Sequence, residues 1–329
     1  MQNKEVVLKV LKEEGKGTQK VLCVGLLCLD IVCVCQEYPI EDTDQRCLDQ
    51  QWRRGGNAAN TATVLKGLGS PVEYLGVIMG QQGRELCEDL RTGGVDIGNC
   101  VWEAETPTPT SCIILSASTG SRTIMHFNRG LKEVPLQHFS SVHLSPYSWI
   151  HFEGRNYPTV KEMIERVRDW RRQAKGGYPK ISLEMEKTKP QETFQGLLSC
   201  VSLVDLLFVS STVSQALGFS SKEQAVKHFK SLIHPTAVVI CAWGKDGACG
   251  SAGEGSEVLS VPAVSPDKVI DTLGAGDTFN AATLFALARG FSLREVLEFA
   301  CTVAGVKCGT YGVNEILNAL SRQLQFTGL

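Results

Sequence analysis

From Val21 onward short β-rich runs alternate with stretches of helical period, and this alternation constrains the fold more than any other feature of the chain. It is the pattern of an α/β layer fold whose sheet is mainly parallel. Residues 21–29, 72–78, 111–115, 123–127, 149–152, 181–184, 206–209 and 237–242 predict strands. Between them, residues 157–174 set Val160, Met163, Ile164, Val167 and Trp170 on one helical face, with Lys, Glu and Arg on the other; that stripe is core packing and carries no chemistry. Two further stretches read differently. Residues 111–115 and 123–127 flank Ser118-Thr119-Gly120, a turn-rich hairpin signal, and residues 32–52 mix β-branched, apolar and polar residues. Together they predict a small β layer beside the main sheet.

With 329 residues the chain has room for one large domain or two ordinary ones. Hydrophobic residues at 43% and charged residues at 21% exclude a disordered, collagen-like or coiled-coil chain. The 33 Lys and Arg against 35 Asp and Glu leave a net charge of −2 with no block of five like charges, which speaks against nucleic acid and acidic membranes and leaves small-molecule chemistry. Thirteen cysteines, odd in number and irregular in spacing, with no C-x₂-C pair and no H-E-x-x-H, predict reduced core residues rather than a disulfide framework or a metal site. The first twenty residues scatter their charges, no segment reaches the ~18 apolar residues of a membrane span, and no N-x-[ST] sequon occurs, so a cytoplasmic protein is expected. Residues 1–20 (Val6, Val7, Val10, Leu11) and 314–329 (Ile316, Leu317, Leu320, Leu324) carry amphipathic hints but no motif; both are expected to be appendages to a domain over 21–313.

The chemistry concentrates in residues 269–280, VIDTLGAGDTFN, which run into a helical pattern. Gly274, Ala275 and Gly276 carry so little side chain that backbone N–H groups can converge at a helix amino terminus and stabilise an anion such as a transferring phosphoryl group. Asp277, in the first turn, stands where a substrate hydroxyl would meet that phosphate and can accept its proton. Glycine in a strand-to-helix turn and Asp at a helix start are also ordinary turn and cap chemistry, so these four residues alone leave both roles open. The string is not a Walker A loop, and Phe279 stands where a dinucleotide fingerprint needs its third glycine. A second string, Arg54-Gly55-Gly56-Asn57-Ala58-Ala59-Asn60, leads into another helix. Its glycines permit close backbone approach, and Asn57 and Asn60 lie one turn apart, so both amides can face one ligand; Asn57 as a simple helix cap is an equal reading. Asp30 ends the predicted first strand, at the sheet edge where open α/β folds bind ligands, though a lone Asp there is also a turn residue.

On these strings the sequence resembles the ribokinase family of carbohydrate kinases, and within it the ketohexose kinases. Arg46-Cys47-Leu48, Trp149-Ile150-His151-Phe152-Glu153-Gly154-Arg155-Asn156 and Val303-Ala304-Gly305-Val306-Lys307-Cys308-Gly309 add to the match, which spans about residues 21–312 and thins over 71–118. The resemblance implies a ribokinase-like α/β fold, a mainly parallel central sheet flanked by helices, with a small β-sheet lid from about 32–54 and 110–128. It implies that Asp30 accepts hydrogen bonds from two sugar hydroxyls, that Gly56, Asn57, Asn60 and Asp277 complete the sugar pocket, and that Gly274, Ala275 and Gly276 form an anion hole beside Asp277 as base. Arg122 matches an arginine that contacts phosphates, and Gly244, Lys245, Asp246 and Gly247 match a loop lining the ATP site. Asp42 matches a lid acid that reaches the sugar of a partner subunit, which implies a homodimer through the lid; on residues alone Asp42 is equally a solvated loop acid. The cofactors implied are ATP with Mg²⁺ and, in many members, a monovalent cation such as K⁺ near Asp271 and Thr272.

The match departs in one place. Many relatives hold the magnesium water shell with an N-x-x-E motif before a strand-to-helix junction, whereas residues 208–215, FVSSTVSQ, contain neither residue, and Ser211 and Gln215 stand where the ketohexose kinases have lysines. Glu184 and Glu186 are the remaining outer-shell candidates for Mg²⁺, and no residue is assigned as a direct metal ligand. The expected reaction is ATP-dependent phosphorylation of the 1-hydroxyl of a ketohexose, fructose first. A kinase of the same fold acting on another sugar and a non-catalytic sugar- or nucleotide-binding protein are the alternatives. The first is separated by a sugar panel; the second is disfavoured by Asp277, which a pure binder does not need.

Overall fold

The computed structural model describes residues 2–13 and 19–323. Its strands, in chain order, are β1 (Lys20–Val24), β2 (Cys28–Cys35), β3 (Asp49–Gly55), β4 (Val72–Leu75), β5 (Val77–Met79), β6 (Val101–Glu103), β7 (Thr110–Ser116), β8 (Arg122–Phe127), β9 (Tyr147–Glu153), β10 (Lys180–Met185), β11 (Leu206–Ser210), β12 (Val238–Ala242), β13 (Ala248–Ala252) and β14 (Leu259–Val261). Eight of them form the main sheet in the order β14-β13-β12-β11-β10-β9-β1-β4, parallel from β4 through β12, with β13 and β14 added antiparallel. β3-β2-β7-β8 form a separate sheet, and β5 pairs β6. The ribokinase-like α/β architecture with its smaller sheet is the one expected.

Strand alternation explains the layering. In β1, Val21 and Cys23 point to one core and Leu22 and Val24 to the other, as a period of two requires. The first core takes helices Asn57–Gly67, Ala275–Ala288 and Leu293–Cys308; the second takes Thr159–Ala174, whose Val160, Met163, Ile164 and Val167 are the expected stripe. Cys23, Cys87, Cys100 and Cys301 pack in the first core and Cys200, Cys241 and Cys249 in the second, as small hydrophobes.

Three expectations need correction. Residues 21–29 are two strands, not one: the chain breaks at Gly25-Leu26-Leu27, leaving β1 in the main sheet and β2 in the small one, so Asp30 is the third residue of β2 rather than the end of the first strand. A Cβ at Gly25 would lie 2.6 Å from Glu153 Oε2 and 2.8 Å from the Ala58 methyl, so only glycine passes there. Residues 72–78 likewise divide, at Gly76, because a Cβ would meet the Tyr74 hydroxyl, which donates to the Gly25 carbonyl at 2.9 Å. Helix Gln2–Lys12, expected to stand apart, buries Val7 and Val10 in the first core, and Lys9 pairs with Glu295 at 2.5 Å. Ile316 and Leu320 of helix Ile316–Gln323 enter the same core; Leu324 lies outside the described residues. Among the described residues no helix is long and apolar enough to cross a membrane.

Candidate active site

A cleft of about 880 Å³ opens between the small sheet and the carboxyl ends of the main parallel strands. Register explains which lid residues face it. Asp30, Arg53, Ser111 and His126 form one row across β2, β3, β7 and β8, and Asp30, Ser111 and His126 of that row line the cleft. The next row, Ile31, Trp52, Cys112 and Met125, turns to the opposite side, where Trp52 and Met125 are exposed. Within the row Ser111 Oγ lies 3.1 Å from His126 Nδ1, and Cys28 Sγ, two residues before Asp30 on the same strand, lies 3.4 Å from Asp30 Oδ1. Burial pushes the Asp30 carboxyl up from its ordinary range, and burial together with the nearby Lys187 and Arg155 charges pushes His126 down.

Two glycines admit the lid strand to the cleft. A Cβ on Gly55 would lie 2.2 Å from the Asp30 carboxylate, and one on Gly56, whose φ is +103°, would lie 2.0 Å from the Leu26 carbonyl oxygen. Gly56 is also the N-cap of helix Asn57–Gly67, which overturns Asn57 as a cap. Asn57 and Asn60 both line the cleft, with Gly56, and each uses its amide nitrogen on a carboxylate there. Asn57 Nδ2 donates to Glu186 Oε2 at 2.7 Å and lies 3.3 Å from Glu184 Oε2, while Asn60 Nδ2 donates to Asp277 Oδ2 at 2.8 Å. Each amide is committed to a carboxylate of the cleft.

Gly274 takes the left-handed conformation, φ +78°, as N-cap of helix Ala275–Ala288. Glycine adopts it without steric cost, and the turn aims the first helical N–H groups, which have no partner within the helix, at the cleft. The Ala275 N–H makes a long 3.3 Å bond to the Thr272 carbonyl. Gly276 has nothing within 4 Å of where its Cβ would be, so its face is open to the cleft. Asp277 beside it is 7% exposed, and burial, with the Glu186 charge adding to it, pushes its carboxyl up to about 7 against the Asn60 hydrogen bond. Glu184, which accepts from Asn280 Nδ2 at 2.9 Å, is pushed well up by burial and by Glu186 and Asp277. Three carboxyls thus crowd one end of the cleft, where the Glu186 charge raises both Glu184 and Asp277.

The other candidates divide. Arg122 lines the cleft and its Nη1 lies 3.3 Å from Thr272 Oγ1, beside the glycine turn. Gly244, Lys245 and Gly247 line it; Asp246 does not, and its carbonyl accepts the Lys222 ammonium instead. Ser211 lines the cleft, whereas Gln215 does not. Asp42 is exposed on the loop between β2 and β3, at φ +59°, away from the cleft walls of its own chain. Sequence reasoning missed Lys187, which lines the cleft and is held charged by Glu153 and Glu186 in spite of burial, and it missed Ser111 and His126. Strand alternation from Asp30 would have found the last two only once the β2–β7–β8 pairing was known. It also missed Glu153, whose Oε2 accepts the Leu26 N–H at 2.9 Å and the Ala58 N–H at 3.3 Å, joining the break before the lid to the start of the Asn57 helix.

Comparison with known proteins bears on the fold and the family of the whole chain. The model of the pfkB family carbohydrate kinases matches residues 18–319. Ketohexokinase of Mus musculus is 40% identical over 301 residues, 91% of this chain and 99% of the mouse protein. Among solved structures, ribokinase of Giardia lamblia superposes with a TM-score of 0.76 at 17% identity, covering 94% of this chain and 99% of that one. Arabidopsis thaliana ribokinase, solved with ribose and ATP, superposes with a TM-score of 0.71 at 20% identity, covering 94% and 100%.

Proposed function

The chain belongs to the pfkB family of carbohydrate kinases, and from that premise we propose that it transfers the γ-phosphoryl group of ATP to the 1-hydroxyl of a ketohexose, D-fructose first. It is a sugar kinase of ribokinase-like fold; the ketohexose, the position of transfer and the residue roles are the proposal. The observation that carries the mechanism is Asp277, buried at the head of the open glycine turn, oriented by Asn60 and with its carboxyl near neutrality. In the proposed step the sugar oxygen attacks the γ-phosphorus, the bond from that phosphorus to the β–γ bridging oxygen breaks, ADP leaves, and the hydroxyl proton passes to Asp277. The Gly276 amide and its neighbours in the turn face the charge on the moving phosphoryl group, and Arg122 approaches it from the lid. Asp30 accepts from sugar hydroxyls at the lid end.

The nucleotide is assigned to the end lined by Ser211, Gly244, Lys245 and Gly247. Lys245 supplies positive charge there that Ser211 lacks. Mg²⁺ would arrive with the ATP phosphates, and Glu184 and Glu186, crowded with Asp277, would hold its water shell rather than bind it directly, since among the described residues no cluster of three His, Cys, Asp or Glu is set to hold a metal. The ion would neutralise the phosphate charge. A homodimer through the outer lid face, where Trp52, Met125 and Phe127 are exposed, would present Asp42 to the partner's sugar.

The test is ADP release with MgATP and fructose, tagatose, ribose, glucose or adenosine, with ³¹P–¹³C coupling to locate the new ester. Ketohexoses alone as substrates, esterified at C1, support the proposal. A preference for ribose or adenosine, or no ADP from any acceptor, overturns it.

A further inference from the structure

The monovalent cation implied by the family resemblance has a definite place to be tested, the loop carrying Asp271 and Thr272. Asp271 is wholly buried, and each of its side-chain and carbonyl oxygens is already engaged. Oδ1 accepts the Leu273 N–H at 2.8 Å. Oδ2 accepts Arg53 Nη1 at 2.7 Å and the Gly312 N–H at 3.1 Å, and lies 3.2 Å from Lys307 Nζ. The Asp271 carbonyl accepts Lys307 Nζ at 2.7 Å. Lys307 is itself fully buried, on helix Leu293–Cys308 and with no other role in the cleft, while Arg53 reaches in from lid strand β3 and lies over the Tyr311 ring. Two fixed cations against one carboxylate leave this pocket net positive before any ion arrives. A metal cation would have to displace a wholly buried lysine ammonium from its oxygens and sit within a few ångströms of a guanidinium, where burial of Asp271 and Lys307 weakens solvent screening of the repulsion. The residues present do not fit the ion.

We propose that Lys307 and Arg53 take the place of a monovalent metal ion at the Asp271 loop, so that the glycine turn is held in shape and the kinase turns over with no K⁺ or Na⁺ bound there. The turn begins two residues beyond Thr272, so the cations that tie Asp271 also anchor the approach to Gly274. Burial pushes the Lys307 ammonium down, but Asp271 opposes the shift, and Asp271 is held below the ordinary carboxylate range in spite of its burial, chiefly by Lys307. The inference rests on the kinase reading for its activity arm only.

The experiment compares the full chain in K⁺, Na⁺ and tetramethylammonium buffers of equal ionic strength, by ADP release with MgATP and fructose and, independently of turnover, by thermal melting and by ²⁰⁵Tl⁺ NMR as a direct probe of a K⁺ site. Rates within about twofold across the salts, unchanged melting and no bound thallium signal are expected. Activation by K⁺ of about tenfold or more, or a saturable K⁺-specific rise in melting temperature, would overturn the proposal. Loss of all turnover with a cation-independent melt would instead strike the kinase reading and leave this one standing. In Lys307→Met, which vacates the site, K⁺ is expected to restore part of the lost rate, and a folded variant that K⁺ leaves inactive counts against the exchange of one cation for another. Should that variant not fold, Arg53→Gln at the lid edge carries the same test: a newly acquired K⁺ response supports the proposal and its absence opposes it.

Discussion

Asn60 Nδ2 donates a 2.8 Å hydrogen bond to Asp277 Oδ2, joining residues 217 apart in sequence across the contact between helices Asn57–Gly67 and Ala275–Ala288. One carboxylate oxygen is thereby held while the other remains available to a substrate. Arg54 Nη1 in turn donates to Asn60 Oδ1 at 3.1 Å, which assigns the amide its orientation. Asp277 is positioned by the same Arg54–Asn60 string that admits the lid strand, so the two sequence motifs meet in one site.

Replacement of Asp277 by Asn removes the proton acceptor and keeps the shape. Turnover with MgATP and fructose is expected to fall by about 10²–10⁴-fold with the melting temperature little changed. A variant that retains a tenth of the wild-type rate would remove Asp277 from the role of base.

The pH profile follows from the direction of the Asp277 shift. The carboxylate must be ionised to accept a proton, so kcat/KM is expected to rise as pH passes through about 7 and to level above it. Glu186→Gln removes a like charge and should move the midpoint down. Asn60→Ala removes a hydrogen bond to the ionised form and should move it up. Coincident profiles for all three proteins would dissociate the midpoint from Asp277.

Gly276→Ala separates folding from chemistry. Nothing outside its own helical turn lies within 4 Å of the added methyl, and alanine is favoured over glycine in a helix by about 1 kcal/mol, so stability should hold or rise. The methyl would nevertheless stand in the space assigned to the phosphoryl group, and the rate should drop by at least tenfold. Unchanged kinetics would place the phosphates elsewhere.

Gly56→Ala should do the reverse and damage the fold first. Its φ of +103° is strained for alanine, by about 1–3 kcal/mol, and its Cβ would collide with the Leu26 backbone, which cannot rotate away as a side chain could. A lowered melting temperature together with lost sugar affinity is the expected result of calorimetry and kinetics; a melt equal to that of wild type would refute the constraint.

His151 is fully buried, with Nδ1 3.0 Å from Ser182 Oγ, and burial pushes it down to about 4 from an ordinary 6.5. The unfolded chain therefore takes up the proton first. Stability from this group is complete above pH 6.5 and declines as pH falls toward 4, by up to about 3 kcal/mol at the lower end. Denaturant titrations should find a shallower acid decline in His151→Gln, and equal slopes would exclude the histidine as a source.

The α/β class, the helix 157–174 and the two Gly-containing strings were legible because each rests on spacing within one strand or one helical turn, where a residue's neighbours are its neighbours in sequence. The glycine turn and Asp277 belong together for the same reason. The break of residues 21–29 into two sheets was not legible, since it depends on Glu153 and Ala58 pressing against Gly25 from distant segments. Nor were the partners of Asn57: nothing local in the sequence says which carboxylates its amide meets, and only the strand order that brings Glu184 and Glu186 alongside supplies them. Lys307 reads in sequence as an ordinary helix lysine, and Arg53 as an ordinary strand arginine. Their meeting at Asp271, 36 and 218 residues away, is a property of the closed tertiary structure, because long-range electrostatic pairing follows from which chain segments exclude water together and leaves no local pattern in the residues that take part.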